Sequence, residues 1–352
     1  MKGPIRDAIR NVDEYTLKQY PYRIKLNQNE NPYELPVAIK EEIARRLVAM
    51  SWSRYPAFVP EEQIEKLAVF TGWKKEGILL GNGSNDLLQL LFTCTLERGR
   101  GVVISQPTFT LYKILARSLG ADVHDVPMVR PFAFDVDRII KTANSTDASL
   151  VVLCSPNNPT GTLLPREDVI RILENTRSLV ILDEAYVQFA PETQIRLLDT
   201  YGRLVILQTF SKAMGAAGLR FGYGLLDPSV SRELNKVKLP YSVNIFTLLA
   251  AEVLMDRWET IKGWIQTLVA EREFVRSELQ QLPAIHAYES AANFIYFESL
   301  RKTPAEIFDA LLAEGILVRN VSSYPMLERG LRVSVGTPEE NREFLSTLKE
   351  AL

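Results

Sequence analysis

Short runs of apolar residues alternate with amphipathic segments from about residue 78 to residue 205. Five of these runs have the length of a strand, and each ends in a polar turn or in a turn that contains glycine or proline. They are Ile78–Leu80, Val102–Ser105, Leu150–Leu153, Val180–Leu182 and Leu204–Leu207. Continuous apolarity is typical of strands buried on both faces, as in a parallel sheet that is covered by helices.

The segments between these runs carry apolar residues at spacings of three and four, which predicts helices. The clearest are Leu87–Leu96, Phe109–Leu119 and Arg166–Asn175. We therefore expect an α/β fold, a mostly parallel central sheet with helices on both faces. The ligand crevice of such a sheet lies beyond the carboxyl ends of its strands.

The last third of the chain has a different pattern, which indicates a smaller α+β domain. One long amphipathic helix is predicted over about residues 247–282, and strands and helices alternate after it. The strands are Phe294–Phe297, Leu317–Val318 and Leu331–Val335, and the helices are Ala305–Glu314 and Glu339–Leu352.

A chain of 352 residues is long enough for two domains at roughly 150 residues each. We expect residues 1–45 to form an N-terminal arm and part of the small domain, and residues 46–245 to form the large domain. Residues 246–352 would then supply the connecting helix and the rest of the small domain.

The charge balance argues against a polyanionic partner. The 41 Lys and Arg residues are offset by 43 Asp and Glu residues, and no basic run interrupts the chain. Nucleic-acid binding normally requires such a basic surface. A polar N-terminus and the lack of an 18-residue apolar run lead us to expect a cytoplasmic protein with no membrane partner.

Cysteine and histidine are too few for a disulfide framework or a zinc site. Cys94 and Cys154 both lie in apolar stretches, so we expect small core residues at both positions. No HExxH or CxxC spacing occurs, and we predict no metal site. The GxSxG motif of serine hydrolases, the phosphate-binding Gly-Lys-Ser/Thr motif and the GxGxxG of dinucleotide-binding proteins are also absent.

Polar residues are concentrated in the turns that follow the five apolar runs. These turns are Gly81–Asn85, Pro107–Phe109, Ser155–Gly161, Asp183–Tyr186 and Thr209–Lys212, with Arg220 shortly after. Each turn alone has an ordinary explanation, such as a helix cap or a solvated lysine. Folding gains nothing, however, from an Asp, a Lys and an Arg placed directly after buried strands. Together the turns predict one functional crevice.

Several motifs in these turns and at both ends of the chain resemble those of one enzyme family. They are KLNQNENPY (Lys25–Tyr33), Arg54-Tyr55-Pro56, SPNNPTG (Ser155–Gly161), DEAY (Asp183–Tyr186), TFSKAMGAAGLRFGY (Thr209–Tyr223) and LRVSVGT (Leu331–Thr337). Their order and spacing resemble the fold type I pyridoxal-phosphate enzymes of the aminotransferase class I and II superfamily. The opening and closing motifs are most similar to those of histidinol-phosphate aminotransferases.

The resemblance implies pyridoxal 5′-phosphate as cofactor and a role for each motif residue. Lys212 would bind the cofactor covalently and carry the Cα proton. Asp183 would pair with the pyridine nitrogen. Tyr186 and Asn158 would hydrogen-bond the ring oxygen O3′.

Further residues would hold the cofactor phosphate and the ring. The phosphate would meet Ser84 and Asn85 at a helix N-terminus, together with Thr209, Ser211 and Arg220. Phe109 matches the aromatic residue that stacks on the ring, where many relatives carry Tyr; its alternative is a core aromatic. Tyr55 resembles a residue that reaches the phosphate of the neighbouring subunit, which implies a homodimer with shared active sites.

Substrate binding is implied for two arginines and for the N-terminal arm. Arg332 matches the superfamily arginine that binds the substrate carboxylate, and Arg319 matches an additional arginine of the histidinol-phosphate branch. Two arginines suit a phosphate dianion, although internal salt bridges are the alternative for both. Tyr15 and Asn29 align with residues that close over the substrate.

The expected reaction is the interconversion of L-histidinol phosphate and imidazole-acetol phosphate with 2-oxoglutarate and glutamate. Two related activities stay open on the same motifs: a threonine-phosphate decarboxylase-like lyase and a broader aromatic amino-acid aminotransferase. A non-catalytic effector module of a transcription regulator is disfavoured, since the motifs begin by Lys25 and leave no room for a DNA-binding region.

Overall fold

The computed structural model describes residues 3–352, and within them it contains thirteen strands and twelve α-helices. The strands are β1 (Ile24–Lys25), β2 (Ile78–Gly81), β3 (Gly101–Gln106), β4 (Asp122–Pro127), β5 (Leu150–Cys154), β6 (Leu179–Asp183), β7 (Leu204–Thr209), β8 (Gly222–Leu226), β9 (Ile285–Ala287), β10 (Phe294–Ser299), β11 (Ile316–Leu317), β12 (Arg319–Asn320) and β13 (Gly330–Ser334). The helices are α1 (Asp7–Arg10), α2 (Val37–Val48), α3 (Glu61–Thr71), α4 (Ser84–Thr95), α5 (Leu111–Leu119), α6 (Val136–Ser145), α7 (Arg166–Asn175), α8 (Pro228–Asn235), α9 (Ile245–Asp256), α10 (Trp258–Gln280), α11 (Pro304–Ala313) and α12 (Pro338–Ala351).

The central sheet has seven strands in the order β2-β8-β7-β6-β5-β3-β4. Only β8 runs antiparallel to its neighbours, so the sheet is mostly parallel, as predicted. The five predicted strands correspond to β2, β3, β5, β6 and β7. Helices α4, α5 and α8 pack on one face of the sheet, and α6, α7 and α9 pack on the other.

Two strands, β4 and β8, and three helices, α3, α6 and α8, of this domain escaped the sequence pattern. Strand β4 lies at the edge of the sheet and is only partly buried, so it carries polar residues and has no apolar run. Strand β8 contains two glycines, which are uncommon in strands. Helix α6 begins after Asp135, which caps it by accepting from the backbone N–H of Arg138.

The single helix predicted over residues 247–282 is wrong, because the structure contains two helices that meet at Arg257. Every residue from Thr247 to Met255 in α9 is buried, since this helix packs between the sheet and helices α2 and α3. Of these two helices, only α10 is amphipathic. Its apolar face contacts both the central sheet layer and the small C-terminal sheet.

The small sheet is antiparallel, with the order β12-β13-β10-β9, and it packs against α11 and α12. Strand β1 pairs in parallel with β11, so the N-terminal segment adjoins the C-terminal one. The predicted domain boundaries at residues 45 and 245 stay a prediction. Residues 1 and 2 of the predicted N-terminal arm lie outside the described part of the chain.

The two cysteines differ from each other. Cys154 is buried at the end of β5, as expected, but Cys94 is exposed on α4, so its prediction as a core residue is wrong. No helix within residues 3–352 combines the length and the apolarity that a membrane span requires.

Candidate active site

A cavity of about 270 Å³ opens beyond the carboxyl ends of the central strands. It is lined by all but one of the predicted site residues: Tyr15, Asn29, Ser84, Asn85, Phe109, Asn158, Asp183, Tyr186, Thr209, Ser211, Lys212, Arg220, Arg319 and Arg332. Parallel strands deliver their terminal turns to one edge, which brings Ser84, Asp183 and Lys212 together. The small antiparallel sheet and the N-terminal segment contribute Arg332 and Tyr15 from the other side.

Tyr55 is the predicted residue that the structure keeps away from this cavity. Its side chain is 80% exposed and stacks on Tyr241, with ring centroids 4.6 Å apart. Its contact with the cofactor phosphate of a neighbouring subunit stays a prediction.

Lys212 lies three residues beyond the end of β7 and points into the cavity. Its Nζ donates a hydrogen bond to the carbonyl of Gln28 at 2.8 Å. Burial lowers the pKa of Lys212 to about 8, and the positive charges of Arg332 and Arg220 act in the same direction, while Glu30 opposes them. About a tenth of the amine is therefore neutral at pH 7, far more than for an ordinary lysine.

Asp183 ends β6 and is 4% exposed. Its Oδ2 accepts from the hydroxyl of Tyr112 at 2.6 Å, and its Oδ1 accepts from the backbone N–H of Ala185 at 3.1 Å. Burial raises the pKa of Asp183, whereas the two hydrogen bonds and the charge of Lys212 act to lower it. Asp183 thus contributes a buried carboxyl group to the wall of the cavity.

Several hydrogen-bond donors lie close to the N-terminus of α4. Ser84 and Asn85 form the first turn of α4, whose first N–H groups have no partner inside the helix. Arg220 Nη1 donates to Ser211 Oγ at 3.1 Å, and Ser211 Oγ lies 3.0 Å from Thr209 Oγ1. No carboxylate within residues 3–352 lies within 4.0 Å of the Arg220 guanidinium, so its charge is available to an anion. These features fit a bound phosphate group.

Tyr186 is held by a small hydrogen-bond chain that starts on β13. Ser334 Oγ donates to Asn29 Oδ1 at 3.0 Å, and Asn29 Nδ2 donates to Tyr186 Oη at 3.0 Å. Because Tyr186 Oη accepts this bond, its own proton is free to be donated into the cavity. Asn29 therefore contacts Tyr186, and its contact with a substrate stays a prediction.

Arg319 and Arg332 face each other across the β12–β13 pair. Arg332 is 7% exposed; Nη1 donates to Asn158 Oδ1, Nη2 donates to the carbonyl of Asn27 at 2.6 Å, and Nε has no partner. Neither arginine forms a salt bridge with any described residue, so the alternative of internal ion pairs is not observed. Like charges in direct cross-strand register are unfavourable unless an anion lies between them.

Phe109 lies at the mouth of the same cavity rather than in a closed core. Its ring is in edge contact with Tyr15, at 6.2 Å between centroids, and with Tyr112, at 5.5 Å. The Phe109 ring therefore borders the space that a planar ligand in the cavity would occupy.

The cavity also contains residues that the sequence interpretation did not single out: Leu17, Asn27, Gln28, Glu30, Tyr112, Cys154, Ala185, Ala217 and Tyr324. Asn27, Gln28 and Glu30 belong to the KLNQNENPY motif and could have been found by extending it. Tyr112 has the appearance of a core aromatic on the apolar face of α5, and Tyr324 lies on a loop without any periodic pattern, so neither carried a signal.

A family model described as "Aminotransferase class I and II" matches residues 22–348. The chain belongs to this family. Among curated class I and II relatives, the histidinol-phosphate aminotransferase of Prosthecochloris aestuarii is 40% identical over 92% of this chain and 91% of its own length. That of Chlorobaculum tepidum is 36% identical over 98% and 99%, respectively.

The solved structures agree on the fold of this aminotransferase family. Histidinol-phosphate aminotransferase from Sinorhizobium meliloti, in complex with pyridoxal-5′-phosphate, superimposes with a TM-score of 0.86 at 24% identity, covering 94% of this chain and 91% of that chain. The chain thus has the fold type I architecture. The family and this neighbour together imply pyridoxal phosphate as the cofactor.

Proposed function

We propose that this protein is a pyridoxal-phosphate-dependent transaminase that interconverts L-histidinol phosphate and imidazole-acetol phosphate, with glutamate and 2-oxoglutarate as the second pair. The observation that carries the proposal is the pair Arg319 and Arg332, two cross-strand cations without an acidic partner, in the cavity that also contains Lys212. A doubly charged phosphate ester matches such a pair better than a single carboxylate does.

The residues present fit the cofactor. Asp183 would hold the ring nitrogen, and Phe109 would cover one face of the ring. Asn158 Oδ1 accepts from Arg332, which leaves its amide N–H groups free to hydrogen-bond the ring oxygen. The donors at the start of α4, with Thr209, Ser211 and Arg220, would hold the phosphate.

When bound, pyridoxal phosphate supplies an aldehyde that carries the amino group and a conjugated ring that accepts the electron pair released at Cα. Lys212 supplies the amine that attaches the cofactor, and as a free base it takes and returns the Cα proton. Its lowered pKa keeps that base available near neutral pH. Tyr186 donates a proton into the cavity, and Asn29 fixes its direction.

The arginines would serve both substrates in turn. Arg332, buried and partly unpaired, would bind the α-carboxylate of glutamate in one half-reaction and the phosphate in the other. Arg319 is half-buried and thus more exposed than Arg332, and it would contribute chiefly to phosphate binding.

We infer a homodimer in which Tyr55 contacts the cofactor phosphate of the partner subunit. Tyr55 lies in a surface with several exposed large apolar side chains, among them Trp52, Phe58, Leu239 and Tyr241. Tyr55, Phe58 and Tyr241 form one aromatic cluster, and exposed apolar clusters of this kind are typical of subunit interfaces.

The first experiment tests cofactor and reaction together. Borohydride reduction of the purified protein, followed by peptide mass spectrometry, should find pyridoxyl phosphate on Lys212. Incubation with L-histidinol phosphate and 2-oxoglutarate should yield glutamate, with kcat/KM well above that for phenylalanine. Release of CO₂ from threonine phosphate would instead favour the lyase, and a preference for phenylalanine would favour the aromatic aminotransferase.

The second experiment tests Arg319. In Arg319→Ala we expect kcat/KM for histidinol phosphate to fall by roughly 30-fold to several thousand-fold, because the phosphate loses a desolvated charge partner worth about 2–5 kcal/mol. The glutamate half-reaction, measured separately, should change much less. Arg329→Ala is the matched control, since Arg329 donates to the carbonyl of Ser299 outside the cavity. Equal losses in both half-reactions of Arg319→Ala would contradict phosphate recognition.

A further inference from the structure

Tyr112 contacts both Asp183 and Phe109, the two residues that are predicted to hold the cofactor ring, although Tyr112 belongs to none of the sequence motifs. It lies in the first turn of α5 and its side chain is fully buried, at 0% exposure. Its hydroxyl donates to Asp183 Oδ2 at 2.6 Å, and its ring packs edge-on against Phe109 with an interplanar angle of 90°.

Few groups of the described residues donate a hydrogen bond to the Asp183 carboxylate, so the bond from Tyr112 has a large effect on it. The titratable groups that face its carboxylate are Tyr112, Cys154, Glu184, Tyr186 and Lys212. Among the described residues, no cation hydrogen-bonds or ion-pairs with it; the donors to its oxygens are the hydroxyl of Tyr112 and the N–H of Ala185.

Burial and hydrogen bonding therefore oppose each other at Asp183. Burial raises the pKa of Asp183, and the hydrogen bond from Tyr112 is the strongest of the influences that lower it. Burial also raises the pKa of Tyr112 well above its ordinary value, so its hydroxyl stays a neutral donor.

We propose that Tyr112 is a positioning residue that keeps the Asp183 carboxylate ionised and directed at the cofactor's ring nitrogen. The proposal rests on the proposed function. A carboxylate that accepts a strong hydrogen bond is less basic, so the shared proton stays on the ring nitrogen rather than on Asp183. A protonated ring accepts electrons better, and the hydroxyl of Tyr112 thereby acts on the reaction without touching the substrate.

Tyr112→Phe isolates the hydroxyl, since it keeps the aromatic ring and its contact with Phe109. The chain offers a matched control in Tyr296→Phe. Tyr296 is equally buried and donates to a carboxylate oxygen of Glu298 at 2.8 Å, but it does not line the cavity. Both variants lose one buried tyrosine-to-carboxylate hydrogen bond, and only one of them is next to the cofactor.

The experiment uses holoenzyme loaded with pyridoxal phosphate that is ¹⁵N-labelled in the ring, because the ¹⁵N chemical shift reports directly whether this nitrogen is protonated. Across a pH titration, we expect the ring nitrogen of Tyr112→Phe to lose its proton at a pH lower by on the order of one unit, a tenfold change in the protonation equilibrium. Tyr296→Phe should titrate like wild type. In steady-state assays Tyr112→Phe should lower kcat and leave KM close to its wild-type value.

The Asp183→Asn background provides an internal test. Without the carboxylate, removal of the Tyr112 hydroxyl should cause no further change in the ¹⁵N signal. If Tyr112→Phe keeps the nitrogen protonated to the same pH as wild type, or merely lowers thermal stability as Tyr296→Phe does, the proposal is wrong. A wild-type protein that binds no cofactor would overturn the proposed function as well, whereas a failure confined to the variant overturns only the role of Tyr112.

Discussion

At the scale of single residues, the candidate site depends on the amine of Lys212, whose charged form is destabilised by burial in the folded protein. Lys212 is partly buried beside Arg332 and Arg220, and its pKa falls from 10.5 to about 8. The same surroundings that make the amine a useful base also destabilise its charged form. Activity and stability are therefore opposed at this position.

This opposition predicts that Lys212→Met stabilises the cofactor-free protein. Below about pH 8 the amine is protonated in both states, and the folded state bears the full cost of the buried charge. The cost declines as pH rises from about 8 to 10.5, since only the unfolded amine is still protonated there. We expect an increase in the free energy of unfolding of about 1–3 kcal/mol at pH 7 that disappears by pH 10.5.

Urea denaturation of both proteins between pH 7 and pH 10.5 measures this difference. Lys236→Met serves as the control, because Lys236 is an exposed lysine paired with Glu233 on the surface. A Lys212→Met effect that is independent of pH would show that the charge of Lys212 is not what destabilises the fold.

At the scale of elements, the phosphate site requires the close approach of β8 to the first turn of α4. A Cβ at Gly222 would lie 2.2 Å from the backbone nitrogen of Ser84 and 2.5 Å from the carbonyl carbon of Gly83. Both contacts are with backbone, so no side chain can rotate to relieve them. The first turn of α4 can hold its position only if residue 222 has no side chain.

Gly222→Ala should therefore displace the start of α4 and weaken cofactor binding. We expect the dissociation constant for pyridoxal phosphate to rise at least tenfold, which corresponds to about 1.4 kcal/mol. Gly263→Ala is the control: a Cβ at this position on α10 meets nothing within 4 Å. Alanine there should leave cofactor affinity unchanged and raise stability by up to about 1 kcal/mol. Unchanged affinity in Gly222→Ala would contradict a phosphate site at the start of α4.

At the scale of the whole molecule, the exposed surface around Tyr55 predicts that activity requires two subunits. A Tyr55→Ala subunit would lack the contact that it makes with its partner's site, and a Lys212→Ala subunit would lack its own amine. A mixed dimer would contain one site with both defects and one intact site.

Mixing the two inactive variants, with mild unfolding to allow exchange, should therefore restore activity to about a quarter of the wild-type level for equal amounts and random pairing. Tyr22→Ala is the control, because Tyr22 is an exposed tyrosine whose ring lies beside Lys25; it should stay active alone. A fully active monomer in sedimentation at assay concentration would contradict shared sites.

The apolar pattern along the chain was enough to predict the mostly parallel sheet and the edge of the sheet at which the candidate site lies. Continuous apolar runs indicate strands buried on both faces, and five such runs were sufficient to predict a parallel core. The direction of parallel strands then places their terminal turns at one edge, so the sequence pattern predicts Asp183, Lys212 and Arg220 close together. The apolar runs and the direction of parallel strands are sufficient for these predictions because neither depends on the exact packing of side chains.

Which side chains contact one another depends instead on the folded chain. That Tyr112 donates to Asp183, that Asn29 holds Tyr186 and that Arg319 faces Arg332 all depend on register and packing between segments far apart in the chain. The end of the long helix at Arg257 and the exposure of Cys94 have the same origin. An apolar pattern specifies that a residue can be buried, but the neighbours that bury it are chosen by the whole fold.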